Sequence, residues 1–196
     1  MGIKMGVPLF KIRDQVKSGQ VIVRSSNYAL YGDISARVDG VLSQFSPRIE
    51  NYSIDESFLD LSDLPPKTDL HAFGTDIRST VLRWAGIPTC VGMGPTKALA
   101  KLANHIAKKN PSFAGVCHIT PEITDDLFSK IDVGKVWGVG GTSVERLKAV
   151  GVNTVQDLKC LDPKIARKIL SVVGERTVQE LNGIKDGTEF VIPIMR

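Results

Sequence analysis

The sequence predicts an α/β sandwich of helices against a sheet, followed from about residue 121 by a small all-helical part. Three observations lead there. Up to residue 120, short apolar runs of strand character alternate with stretches of helical period. Beyond Thr120-Pro121 no strand pattern returns until the last few residues, while helix-start signals follow one another closely. Of the 196 residues 42% are hydrophobic, enough to bury one sizeable core or two small ones.

In chain order, Ser18-Gly19 signals a turn and Val21-Ile22-Val23 reads as a short buried strand. Asp33 is placed to cap a helix with apolar positions Ile34, Val38, Val41, Leu42 and Phe45, ended by Pro47. Residues 49–61 are strand-like with acidic residues in the middle. After the Pro65-Pro66 break, Leu70, Phe73, Ile77, Val81 and Trp84 share one helix face, and Gly86 and Pro88 stop that helix. A strand over 89–94, a helix over 96–109 and a strand over 115–119 follow. Thr120, with Pro121 at the first helical position, opens the helical part. Thr142 with Glu145 and Thr154 with Asp157 have capping-box spacing, and Asp162-Pro163 starts a further helix.

Composition narrows the class. No run of about 18 apolar residues predicts a membrane span. The first residues lack a signal-peptide pattern, and Gly6 stands where a myristoylation signal needs Ser or Thr. Cys90, Cys117 and Cys160 show neither ligand spacing nor a disulfide framework and read as core filler in a reducing compartment. A net charge of +4 and a pI of 9.0 matter less than where the cations fall.

Three motifs carry chemistry. In Tyr52-Ser53-Ile54-Asp55-Glu56-Ser57-Phe58, apolar residues flank an adjacent acid pair, which suggests a hairpin with carboxylates at its tip. Such a pair is either a solvated turn or the seat of divalent ions for two-metal phosphoryl transfer. From Thr96 to Lys109, Leu99, Leu102, Ala103 and Ile106 form an apolar stripe, while Lys97, Lys101, Asn104 and Lys108 cluster on another face. That face is either solvated or meets a triphosphate or a nucleic-acid backbone. His105 has no partner at ligand spacing. Val136-Trp137-Gly138-Val139-Gly140-Gly141-Thr142-Ser143, with Leu147 and Gly151-Val152, reads as a helix-hairpin-helix, whose glycines and helix-start amides suit a phosphate backbone; a structural helix pair is the alternative.

Taken in order, with Ser25-Ser26-Asn27-Tyr28-Ala29-Leu30-Tyr31 added, these motifs resemble the Y-family DNA polymerases and most closely their UmuC-type branch. The resemblance covers nearly the whole chain. It implies a palm over residues 1–120, with a mixed or antiparallel sheet and flanking helices, and a helix-hairpin-helix thumb over 121–196. It implies translesion synthesis in SOS mutagenesis and DNA repair by two-metal nucleotidyl transfer. Asp55 and Glu56 are then the catalytic, magnesium-binding carboxylates, and Lys108 contacts the incoming deoxynucleoside triphosphate. Gly138, Val139 and Gly140, together with Lys97 and Lys101, hold primer–template DNA. An accessory subunit of the UmuD type and a cytosolic, nucleoid-associated location also follow from the resemblance, and no membrane partner does.

The family pattern begins with a strand carrying another metal-binding Asp and a steric-gate segment, and ends with a little finger and a clamp motif. Against it, this chain reads as shortened at both ends, without the first strand, the start of the fingers, the little finger or a sliding-clamp contact. The resemblance therefore leaves two readings of its activity. One is a DNA polymerase core. The other is an inactive fragment that only binds DNA through the hairpin. The first strand lies within the family's palm sheet, so open edges are expected beside the strands around Ile54 and Val91.

Overall fold

The computed structural model describes residues 2–4, 6–120, 126–184 and 191–195. A short helix α1 (Arg13–Lys17) precedes α2 (Tyr28–Leu42). The hairpin strands β1 (Ile49–Ser53) and β2 (Glu56–Asp60) are followed by α3 (Leu70–Ala85), β3 (Cys90–Met93), α4 (Lys97–Lys109) and β4 (Val116–His118). Then come α5 (Gly141–Ala149), α6 (Val155–Lys159), α7 (Pro163–Leu181) and a last strand, β5 (Val191–Met195). The sheet order is β1-β2-β5-β3-β4, with β3 and β4 parallel and the other pairs antiparallel. The fold is thus a mixed α/β arrangement, as the sequence predicts.

Helices cover both faces of the sheet. Along β3, Val91 and Met93 join Val116 of β4 in a core with Val38, Val41 and Leu42 of α2 and Ile77 and Val81 of α3. Alternate strand residues point the other way. There Gly92 lets α4 lie directly on the strand: a Cβ on Gly92 would stand 2.1 Å from the Asn104 backbone nitrogen. The Gly92-Met93-Gly94 glycines therefore serve helix packing. A second core joins Leu99, Leu102, Ala103 and Ile106 of α4 to Phe128, Val133, Leu147, Leu158, Val178 and Leu181. It runs across the boundary near residue 121 that the sequence suggests.

Several local expectations are corrected. Residues 21–23 form no strand; Ile22 is 73% exposed, with no sheet neighbour to bury it. Helix α2 starts earlier than Asp33, because the Asn27 side chain accepts from the Leu30 amide at 3.1 Å, while Asp33 pairs with Arg37 on the surface. Trp84, on the last turn of α3, is exposed and does not join its core. Thr142 and Glu145 make no capping box, since α5 begins at Gly141 directly after Gly140. Thr154 and Asp157 do make one. Asp162 caps α7 by accepting from the amides of Lys164 and Ile165, and Ser171 interrupts that helix with a left-handed φ of 69°. The helix start at Thr120-Pro121 falls on residues 121–125, outside the described residues.

The largest difference concerns β5. An all-helical second part was expected, yet residues 191–195 return to the sheet and lie between β2 and β3. Glu56 to Asp60 pair with Met195 to Val191, and Cys90 and Val91 pair with Met195 and Ile194. The edges expected to be open beside β2 and β3 are therefore hydrogen-bonded. Pro193, opposite Phe58, brings no N–H to that ladder.

Candidate active site on the β1–β2 hairpin

The two-residue turn between β1 and β2 separates its carboxylates by environment. Asp55 sits at the exposed tip, where the Ser53 hydroxyl donates to its Oδ1 at 2.6 Å. Glu56 is the first residue of β2 and is buried. Lys101 of α4 donates to both of its oxygens, at 2.7 and 2.6 Å. Their side chains are only 10% and 14% exposed, so the pair excludes most water from its contact. One turn earlier on α4, Lys97 pairs with Glu50 of β1 and lies 5.1 Å from the Phe58 ring centroid.

The helix face read as a row of cations is thus largely spoken for. Asn104 is buried and donates to the Cys90 carbonyl at 2.8 Å, while Lys101 and Lys97 hold carboxylates. Lys108 is exposed at the other end of α4, about 16 Å along the axis from Lys97. Burial and then the charges of Lys135, Lys109 and Lys108 push the neighbouring His105 imidazole below its ordinary value. Cys117 is buried, and burial alone pushes its thiol up to about 12, which suits core packing and not nucleophilic attack. Cys160, in contrast to the core reading, is exposed.

The glycine hairpin reaches this site through the residue before it. Trp137 stacks edge-on against Tyr52 with centroids 5.4 Å apart and lies 5.8 Å from Phe58. Its Nε1 donates to the Tyr52 hydroxyl at 3.3 Å. Gly138 takes a φ of 84°, a conformation that needs glycine, and added Cβ atoms at Gly138, Gly140 or Gly141 would meet open space. A three-residue 3-10 helix, Val133–Lys135, precedes the hairpin, and Gly140 caps α5 without a side chain. A second joint ties the helical part to α4: the Glu180 carboxylate accepts from the Ala98 amide at 2.8 Å, at the positive end of the helix.

The structure therefore gathers Glu56, Lys97 and Lys101 on one hairpin with Asp55 at its tip, and packs Trp137, the residue before Gly138, against Tyr52 of that hairpin. Lys108 stands apart. Sequence reasoning passed over Tyr52, Phe58 and Trp137 as a group, because nothing in their spacing joins residues 85 positions apart. Hard carboxylate oxygens on adjacent residues suit a magnesium ion, and Glu56 already holds a cation, the Lys101 ammonium. Among the described residues no cluster of three or more His, Cys, Asp or Glu side chains forms. Among the described residues no helix is long and apolar enough to cross a membrane.

This sheet with helices on both faces and its hairpin tip is the fold of a solved polymerase. An insertion ternary complex of Dbh DNA polymerase superposes with a TM-score of 0.77 at 22% identity, over 96% of this chain and 54% of that one. In sequence, Protein ImpB of Salmonella typhimurium is 42% identical over 186 residues, and Protein UmuC of the same species 43% over 185. The impB/mucB/samB (IMS) family profile matches residues 1–105. The chain belongs to the impB/mucB/samB family, a Y-family domain. Each match covers 93% of this chain but only 44% of the relative, so the chain spans less than half the length of either.

Proposed function

We propose that this chain supplies the palm, and with residues 121–196 the thumb, of a DNA polymerase that copies damaged template during SOS mutagenesis and repair. The reading rests on one observation above the others. The hairpin with Asp55 and Glu56 and the glycine hairpin after Trp137 meet in one aromatic cluster, so a primer held at residues 138–140 lies next to the carboxylates.

Asp55 and Glu56 would hold magnesium, which supplies charge stabilisation to nucleotidyl transfer when bound. The amides around Gly138, Val139 and Gly140 contact the sugar-phosphate backbone without reading bases. Lys108, exposed at the end of α4 next to Lys109, meets the triphosphate of the incoming deoxynucleotide. Lys97 and Lys101 reach DNA only after leaving Glu50 and Glu56. A UmuD-type accessory subunit and a cytosolic setting fit the same reading.

Fluorescence anisotropy with a labelled primer–template tests the grip. Weak binding should fall steeply with salt and depend little on sequence. Gly140→Val, whose Cβ enters open space, should weaken binding equally for all duplexes. Gly138→Val should do so at a further cost in backbone strain. Unchanged affinity in Gly140→Val would show that the hairpin is not the grip. Magnesium-dependent primer extension that survives Asp55→Ala would remove the carboxylates from the chemistry.

A further inference from the structure

Lys101 sits in a socket built from three other side chains. Its ammonium touches both oxygens of Glu56 and lies 5.0 Å from the Tyr52 ring centroid and 5.5 Å from that of Trp137. A buried carboxylate needs a cation beside it, and here the cation belongs to the chain. A divalent ion on either oxygen places a double positive charge beside the Lys101 ammonium, so the two compete for Glu56. The rings that embrace the ammonium are joined to each other by the Trp137–Tyr52 hydrogen bond, and Trp137 leads directly into residues 138–140.

We infer that Lys101 is the internal counter-ion of Glu56, displaced when a divalent cation takes the carboxylate, and that Tyr52 and Trp137 carry the displacement to the glycine hairpin. The inference rests on the reading of Asp55 and Glu56 as metal ligands. Lys101 then acts as a positioning residue. It holds Glu56 in a fixed place before the metal arrives, and it sets the apparent affinity, which is proportional to the fraction of molecules whose Glu56 is free. The same step gives up two cation–π contacts, so the Trp137 indole changes surroundings, and it frees an ammonium beside the carboxylates for a phosphate.

The chain has two tryptophans, and Trp84 is 64% exposed on α3, so Trp84→Phe leaves Trp137 as the sole reporter. In that background, Mg2+ is titrated at constant ionic strength while Trp137 emission and calorimetric heat are both followed. The Lys101-bearing chain should show a saturable emission change that tracks the heat. Lys101→Met should bind Mg2+ about tenfold more tightly by calorimetry yet lose the emission change, because no ammonium remains to leave. Lys101→Arg, whose planar fork grips a carboxylate more firmly, should bind about tenfold more weakly. Opposite shifts are not expected of a side chain that merely fills space. Mg2+ affinities equal in all three, or weaker in Lys101→Met, overturn the inference while leaving the metal site standing. If Lys101→Met proves unfolded by circular dichroism, the charge-conserving Lys101→Arg decides by itself. Heat that is absent throughout, or unchanged in Glu56→Gln and Asp55→Asn, removes the metal site and the inference with it.

Discussion

The two hydrophobic cores differ in what they need from elsewhere in the chain. Among the described residues, the core between α2, α3 and the sheet draws on residues between Val38 and Val116. Its local signals were nonetheless poor, as the misread residues 21–23 and the displaced start of α2 show. The helical part is the reverse. Thr154, Asp157 and Asp162 cap their helices as the sequence says, yet its core includes Leu99, Leu102, Ala103 and Ile106 of α4. Clear local signals do not make a segment independent. The sequence suggests a boundary near residue 121; the structure makes α4 common to both sides of it.

Breaking the shared helix should have the largest effect. Gly92→Ala places a Cβ 2.1 Å from the Asn104 nitrogen and 2.4 Å from the Ala100 oxygen, so α4 must move off β3. A loss of about 3 kcal/mol is expected. Urea melts followed by circular dichroism should show one transition, and two separated transitions would contradict a shared α4. Leu147→Ala, at a fully buried position of the helical core, should cost about 2–5 kcal/mol. Hydrogen exchange should then quicken in α4 as well as in α5 to α7. Ile77→Val, on the other side of the sheet, should cost about 1 kcal/mol and leave exchange in the helical part unchanged.

Exchange in the unmodified chain sharpens the same point. Because β3 is paired on both sides, amides in 89–94 should exchange as slowly as those in 136–158. Smaller effects come from the caps. Thr154→Ala should cost about 1 kcal/mol, read as a lower denaturant midpoint. Asp157 accepts from the amides of Asn153 and Thr154, and these bonds hold its carboxyl below the ordinary carboxylate value. Its contribution is therefore present above about pH 3.9 and is lost as pH falls through the depressed folded value. Asp157→Asn should flatten the acid limb of the stability profile slightly, since this carboxylate is exposed and screened.

What the sequence carried was local. The acid pair between two strand-like runs suggests a tight hairpin, and residues 49–53 and 56–60 do pair antiparallel around a two-residue turn. The helix after Thr96, the capping box at Thr154 and the glycine turn before α5 depend on neighbours within a few residues. The ordered motifs also fixed the family. Contacts between distant residues were not legible, because period and propensity say which face is apolar and not what covers it.

Lys97 and Lys101 illustrate this. Their sequence spacing places them on one helix face, but only the approach of α4 to the hairpin turns that face into two ion pairs instead of a free cationic strip. Trp137 against Tyr52 and Glu180 on the start of α4 are likewise products of packing. The return of residues 191–195 to the middle of the sheet is the extreme case. A strand's own sequence sets its pleat, whereas its neighbours are set by which backbone donors and acceptors elsewhere would otherwise stay unpaired.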